Sequence, residues 1–391
     1  MIHLFFNALA ASAGAGLTYV RNVVPEIARR DDAQATVLLS PELRKEFEDP
    51  HNIAFVEVNS LGSARRFWQE QTLVPALVRK SQADVLISTG NFALRRSPVP
   101  QILLSGNSLY TSSDFFQDLV SRGAWGPWLD TRLKAAFAKR SIYWADATVA
   151  PSRAFAGALQ SWTGRKVHSI YHGFDRDTFF RDAGPLPAAM QEKIRSADGS
   201  LKLLFVSHYN YYRNFETLFR ALPSIRQALG ETKLRLFLTC ELRAGANPGS
   251  YRTDAAANLV SRLGIRDEVI ELGAVPYRLL HHLYTAADIY VTPAYTETFA
   301  HPLVEAMASG LPIVASDIAV HREICGDGAV FFDRFSAERL SEEVLRLARS
   351  DSAKRRLAEQ GGERLNDFSW HSHVSQLVSL SEELLRAARP T

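Results

Sequence analysis

Two matched series of short apolar runs, each run separated from the next by a stretch of helical periodicity, constrain the fold of this chain more than any other feature. The first series occupies 2–6, 35–39, 53–58, 85–88, 101–104 and 147–150, and the second 201–206, 234–239, 269–272, 289–292, 313–315 and 329–332. Such runs read as strands buried on both faces, and strands alternating with helices imply a parallel sheet covered by helices on both sides. Between the series, Arg181-Asp-Ala-Gly-Pro-Leu-Pro-Ala-Ala189 carries the Pro and Gly of a connection between domains. The expected architecture is α/β, with two Rossmann-like domains facing across a cleft, over 1–182 and 183–370. A terminal amphipathic helix follows over 371–391. Ligands in such sheets bind beyond the carboxyl ends of the strands, so the cleft is the expected site.

At 391 residues the chain can bury two cores of ordinary size. Its net charge of +3, from 45 basic and 42 acidic residues without a basic tail, argues against nucleic acid as the main partner. Cys240 and Cys325 are too far apart in sequence to form a disulfide framework or a metal-ligand cluster, which fits a reducing cytoplasm. The opening Ile2-His-Leu-Phe-Phe-Asn-Ala-Leu-Ala10 lacks the basic first segment of a secretory signal and reads as the first buried strand. No run approaches the roughly 20 apolar residues that span a bilayer. The expectation is a cytoplasmic protein, with peripheral contact at the inner face of the membrane as an option.

The chemistry concentrates in Glu297-Thr-Phe-Ala-His-Pro-Leu-Val-Glu305-Ala-Met-Ala-Ser-Gly310. A strand ending at Pro293 places Glu297 in the loop beyond its carboxyl end, and helical spacing starts near Pro302 and stops at Gly310. Backbone N–H groups at a helix start carry the positive end of the helix dipole and suit a diphosphate. Glu305, on the first or second turn, can accept hydrogen bonds from a ribose diol. Each glutamate alone also fits a solvated loop acid or an acid offsetting the dipole; the pair, with its Pro and Gly punctuation, points to a nucleotide-sugar cradle.

These residues resemble the signature of the retaining, GT-B-fold glycosyltransferases of family 4, a glutamate followed by seven residues and a second glutamate. Ser316-Asp317, His321-Arg-Glu323-Ile-Cys-Gly326-Asp-Gly328 and Leu272-Gly273-Ala-Val275 extend the resemblance over most of 200–335. It implies a GT-B fold, a nucleotide-sugar donor, a saccharide or lipid-linked acceptor, and donor contacts from Ser207, Phe299, Ala300, His301, Pro302, Leu303, Val304 and Glu305. The family carries Gly-Arg after the first strand of this half and a Lys five residues later. Ser207-His208 replaces the first pair here and Arg213 replaces the lysine. Glu297, Arg213 and His208 are therefore the expected catalytic residues: Arg213 binds phosphate oxygens, and His208 supplies a hydrogen bond or, protonated, a second positive charge.

In the first half, Ser12-Ala-Gly14-Ala15-Gly16 follows a strand and opens a helix, which resembles the family's glycine loop against donor or acceptor and equally fits a tight turn. Asn107 stands where relatives carry a histidine that meets the reacting sugar, and Asp175 reads as a local cap. No Asp-x-Asp pair follows an expected strand, so neither a metal nor another cofactor is expected. Trp125 to Trp144 mixes aromatic and basic residues, as a face on an anionic membrane would, and equally as a core-packed helix with a solvated basic side. The leading reading is a hexosyl glycosyltransferase acting in surface-polysaccharide or glycoconjugate assembly. A GT-B-type nucleotide-sugar epimerase and a non-catalytic two-domain binding protein are the alternatives.

Overall fold

The computed structural model describes residues 1–11, 14–59, 61–247 and 251–388. The chain forms two compact units: Met1–Thr111 with Trp128–Gly173 and Phe368–Thr391, and Ser112–Pro127 with Phe174–Asp367.

The first unit is built on a parallel sheet of β1 (Ile2–Asn7), β2 (Ala33–Leu39), β3 (Ile53–Glu57), β4 (Val85–Ser88), β5 (Gln101–Leu104), β6 (Ala147–Ala150) and β7 (His168–Ser169), in the order β3-β2-β1-β4-β5-β6-β7. The two-residue edge strand β7 is too short to leave an apolar run, and the sequence gives no sign of it. Alternation along β1 serves two layers. Leu4 and Phe6 pack with Val23, Val24 and Ile27 of the helix Gly14–Ala28 and with Val374 and Leu377 of the terminal helix Trp370–Ala388. Phe5 packs on the other face with Val74 and Val78 of the helix Ser63–Ser81. Truncating one such buried aromatic costs about 3–5 kcal/mol.

The terminal helix is also tied by a polar contact at its start. His373 Nδ1–H donates to the Tyr171 carbonyl at 2.8 Å, which leaves Nε2 to accept from the Tyr19 hydroxyl at 2.9 Å. Burial pushes the His373 imidazolium down to about 4, so this ring is neutral and the tautomer is fixed. Beside it His172 stacks on Trp370, and a Cβ added at Gly173 would lie 2.1 Å from the Trp370 amide nitrogen. Only glycine allows that approach.

The second unit repeats the plan with β8 (Leu201–Phe205), β9 (Leu234–Leu238), β10 (Val269–Glu271), β11 (Ile289–Thr292), β12 (Ile313–Ser316) and β13 (Ala329–Phe332), parallel in the order β10-β9-β8-β11-β12-β13. Helices Phe215–Leu229, Asp254–Arg262, Leu280–Ala286 and His301–Ala308 pack around it, joined by Ser113–Ser121 from the first half of the sequence. In both sheets the strand order reverses at the centre, between β1 and β4 and between β8 and β11. A crevice for ligands opens at the carboxyl ends of such a reversal.

Candidate functional site

The β8–β11 reversal gathers the residues expected to do chemistry. Beyond β8, the Ser207 amide donates to the Thr239 hydroxyl at 2.8 Å, which anchors the loop start. The chain then makes one tight turn over Tyr211–Arg213 and enters the left-handed region at Asn214, with φ of 55°. Asparagine tolerates that conformation, and its side-chain amide donates to the carbonyls of Pro293 at 3.0 Å and Arg334 at 2.8 Å. The loop beyond β11 is joined to it by the Tyr295 amide donating to the Tyr212 carbonyl at 3.1 Å. These ties place the Arg213 guanidinium on the Glu297 carboxylate as an ion pair, with side chains 16% and 9% exposed.

Arg213 is incompletely satisfied by that pair. One terminal nitrogen is held by Glu297, while its Nε–H is buried and has no hydrogen-bond partner among the described residues. A buried donor left unmade costs about 1–3 kcal/mol, and such a deficit calls for a reason. A phosphate oxygen is an acceptor suited to a guanidinium edge.

The helix His301–Ala308 starts next to this pair in sequence. Ala300 occupies its N-cap position with φ of 64° and ψ of 63° and provides no side-chain cap, and Pro302 falls in the first turn. Phe299, Leu303 and Val304 are buried at 1%, 1% and 0% exposure, so these expected donor contacts are packing residues whose side chains fix the helix. His301 is half-buried, and desolvation holds its pKa at about 4, which keeps it neutral. Glu305 is 4% exposed. Its carboxyl accepts from the Tyr284 hydroxyl at 2.7 Å, and burial, opposed by that bond, raises its pKa to about 7. Tyr284 also donates to the Pro302 carbonyl at 3.3 Å, so it sets Glu305 against the helix start. No spacing in the sequence singles out this tyrosine.

His208 keeps an exposed ring, and its pKa is lowered by partial desolvation and then by the Arg213 charge. Both effects favour the neutral ring and work against the second positive charge expected of it.

In the first unit, Ser12 and Ala13 lie outside the described residues, and Gly14 and Ala15 are described only as the helical backbone opening Gly14–Ala28. A Cβ at Gly16 would meet Ala11 at 3.6 Å, an ordinary contact, so nothing within the unit demands glycine there. Asn107 caps the turn Ser108–Tyr110, its carbonyl accepting from the Leu109 amide at 3.0 Å. Asp175, which belongs to the second unit, caps Arg176–Phe180 through the Thr178 amide at 2.9 Å. At the β1–β4 reversal, Glu70 pairs with Arg66 at 3.5 Å and hydrogen-bonds Asn7 at the end of β1; burial raises its pKa to about 7. A Cβ at Gly90 would lie 2.7 Å from that of Ala10, so the loops leaving β1 and β4 touch. Sequence reasoning missed Glu70, which looks like any helix glutamate until Asn7 is seen beside it.

Among the described residues no group of three or more His, Cys, Asp or Glu is placed to hold a metal ion, and Cys240 and Cys325 are buried free thiols. No described helix is long and apolar enough to cross a membrane.

Comparison with known proteins bears on the same segments. Residues 188–364 match the family described as glycosyl transferases group 1, and residues 17–178 match glycosyltransferase family 4. An O-antigen chain mannosyltransferase B of Escherichia coli is 32% identical over 33% of this chain and 34% of its own. A phosphatidyl-myo-inositol mannosyltransferase of Mycobacterium leprae is 27% identical over 58% of this chain and 62% of its own. The chain thus spans about a third to three fifths of the length of these curated relatives. Among solved structures, sucrose-phosphate synthase from Thermosynechococcus elongatus superimposes with a TM-score of 0.77 over 99% of this chain and 100% of its own, at 17% identity. Anabaena HepE in complex with UDP-glucose gives 0.71 over 98% of this chain and 100% of its own, at 16% identity. Two parallel-sheet α/β units, the glutamate pair at a strand-order reversal and family matches over both halves of the sequence place the chain among the GT-B glycosyltransferases of group 1 and family 4.

Proposed function

We propose that this protein transfers a hexosyl unit from a nucleoside-diphosphate sugar to a saccharide or lipid-linked acceptor, with retention of configuration and without a divalent cation. The observation that carries the proposal is the Arg213–Glu297 pair at the β8–β11 reversal, whose guanidinium retains a buried, unpartnered Nε–H. In this reading the donor diphosphate lies between Arg213 and the start of His301–Ala308, and Glu305 accepts from the ribose diol. The bond from the anomeric carbon to the diphosphate oxygen breaks with its electron pair moving to phosphate. Donors already in place favour that charge more in the transition state than in the ground state. An acceptor hydroxyl then bonds to the anomeric carbon from the same face and gives its proton to the departing phosphate, which retains configuration. Glu297 aims the guanidinium and borders the sugar.

The mannosyltransferase names of two relatives and the UDP-glucose of HepE support an NDP-sugar donor and a role in surface-polysaccharide or glycoconjugate assembly. Peripheral membrane contact belongs to the same proposal. Leu129, Leu133 and Phe137 are 55%, 56% and 49% exposed at four-residue spacing, with Arg132 and Arg140 exposed on the same helix.

Thermal-shift screening with UDP, GDP, dTDP and ADP sugars identifies the donor, since a ligand of the folded form raises Tm. Transfer is then followed by NMR of the product anomer, with and without EDTA. An inverted product removes retention, loss of transfer on chelation removes metal independence, and the absence of any stabilising sugar nucleotide removes the proposal as a whole. A donor epimerised without acceptor would identify an epimerase instead.

A further inference from the structure

We infer that the helix Ser113–Ser121, contributed by the first half of the sequence to the second unit, is a positioning clasp for the Arg213–Glu297 pair, acting through Asp118 and Tyr295. The inference rests on the glycosyl-transfer reading for its kinetic consequence, and on geometry alone for its structural one.

The helix grips both loops that carry the pair. Asp118 accepts from the Tyr295 hydroxyl at 2.9 Å with one oxygen and from Arg122 Nε–H at 2.7 Å with the other. Arg122 donates onward to Glu216 at 2.8 Å and lies over the Tyr211 ring at 4.3 Å. Phe115 meets Tyr212 edge-on at 6.3 Å, and Asp114 takes two bonds from Arg334 at 2.9 and 3.3 Å. Tyr295 stands two residues before Glu297, and Tyr211 and Tyr212 stand immediately before Arg213. The loops are further joined by the Tyr295 amide on the Tyr212 carbonyl.

These contacts are polar and largely shielded. Asp118, Arg122 and Glu216 side chains are 19%, 20% and 10% exposed, and Tyr295 is 5% exposed. Two acids around one guanidinium repel each other unless Arg122 stays between them, so the geometry is set by charge as well as by fit. Burial, opposed by Arg122, raises the Asp118 pKa, while the Tyr295 phenol is pushed well above its ordinary range and stays a donor. A helix serving stability alone would need only apolar cover. This one terminates its bonds on residues that flank the reacting pair on both sides. Catalytic groups need sub-ångström placement, and a displacement of about 1 Å can cost 10²-fold in rate.

The test uses the full chain and the donor identified by the thermal-shift screen. Tyr295→Phe deletes one hydroxyl, Asp118→Ala deletes its acceptor, and the double variant measures their coupling. Arg226→Ala, which breaks the Arg226–Glu268 pair elsewhere in the unit, is the stability control. Tyr295→Phe and Asp118→Ala should each lower kcat about tenfold with donor KM within about twofold of the parent, and the double variant should be no worse than the more affected single. Arg226→Ala should lower Tm and leave kcat unchanged. Without any ligand, amide hydrogen exchange at 211–214 and 295–299 should quicken in both clasp variants and not in Arg226→Ala. Unchanged exchange in those two loops, or parental kcat in Tyr295→Phe, overturns the clasp. If the parent protein turns over no sugar nucleotide, the glycosyl-transfer reading fails and the exchange result still decides the clasp.

Discussion

Protonation of Glu305 should control donor affinity across neutral pH. The carboxyl is 4% exposed, receives one hydrogen bond from Tyr284, and has its pKa raised by burial to about 7. In the proposed reading Glu305 accepts from the ribose diol of the donor, and a diol binds a carboxylate far more strongly than the acid. At pH 8 about nine-tenths of the ligand-free protein presents the carboxylate, and at pH 6 about one-tenth does. The dissociation constant for a nucleotide sugar should therefore rise about tenfold from pH 8 to pH 6, or ~1.4 kcal/mol. The neighbouring imidazoles do not share this window, because His301 and His321 are both held at about 4 by burial and His208 is lowered as well. The donor, a diphosphate diester, has no proton to exchange in this range. Titration calorimetry at pH 6, 7 and 8, in buffers of differing ionisation enthalpy, reads both the affinity slope and the proton count. About half a proton should leave at pH 7. In Glu305→Gln, where the amide oxygen still accepts from Tyr284, the slope should vanish and the affinity at pH 8 should drop. A parental affinity that is flat between pH 6 and 8, or a slope that survives in the glutamine variant, refutes the reasoning.

Arg213→Ala should reduce kcat by about 10²-fold, the scale for removing one preorganised donor at a developing charge, in a coupled assay of donor turnover with fold checked by circular dichroism. Glu70 is an acid whose folded pKa, about 7, exceeds its ordinary value of 4.5. Its folded form thus retains a proton that the unfolded chain has lost, so stability declines as pH rises from 4.5 towards 7, by up to about 3 kcal/mol. Urea titrations at pH 5 and pH 8 should show a smaller difference in Glu70→Gln. Gly173→Ala should lower Tm by several degrees or prevent folding, because its Cβ would lie within 2.1–2.6 Å of Trp370 backbone and ring atoms; an unchanged melting curve would show that the terminal helix is not seated as described.

Much of this fold is visible in the sequence because a parallel sheet buried on both faces leaves uninterrupted apolar runs. β4 and β11 coincide with their runs, and β1, β2 and β8 differ by one or two residues at their ends, where fraying and pairing decide. The site is legible in part for a related reason: a loop after a strand and a helix start at Pro302 are both punctuated. What hides is anything defined by contact across distance in the chain. Tyr284 reads as one more aromatic in a short helix, and only packing shows that it holds Glu305. Burial raises the Glu70 pKa, and the opposing hydrogen bond comes from Asn7, sixty-three positions away. Ala300 is hidden differently. Its left-handed backbone would be expected of glycine or asparagine, and an alanine there costs about 1–2 kcal/mol that no local pattern announces.

That strain and the unmet Arg213 Nε–H bear on one question, why the site keeps two unrelaxed groups beside the Glu297 loop. Packing forces the Ala300 conformation, since Phe299, Leu303 and Val304 around it are buried and leave the helix start no freedom to turn away. Asn214 and the Tyr295–Tyr212 bond likewise fix Arg213 where its Nε–H finds no partner within the described chain. Both deficits are local, both are adjacent to the Glu297 loop, and both are held by rigid surroundings that were ordered on folding. Placing a diphosphate against them would then require little reorganisation and would gain a bond the chain cannot make for itself. Preorganisation of this kind is the physical reason to expect discrimination between a nucleoside-diphosphate sugar and a sugar monophosphate, which brings one phosphate fewer to these donors.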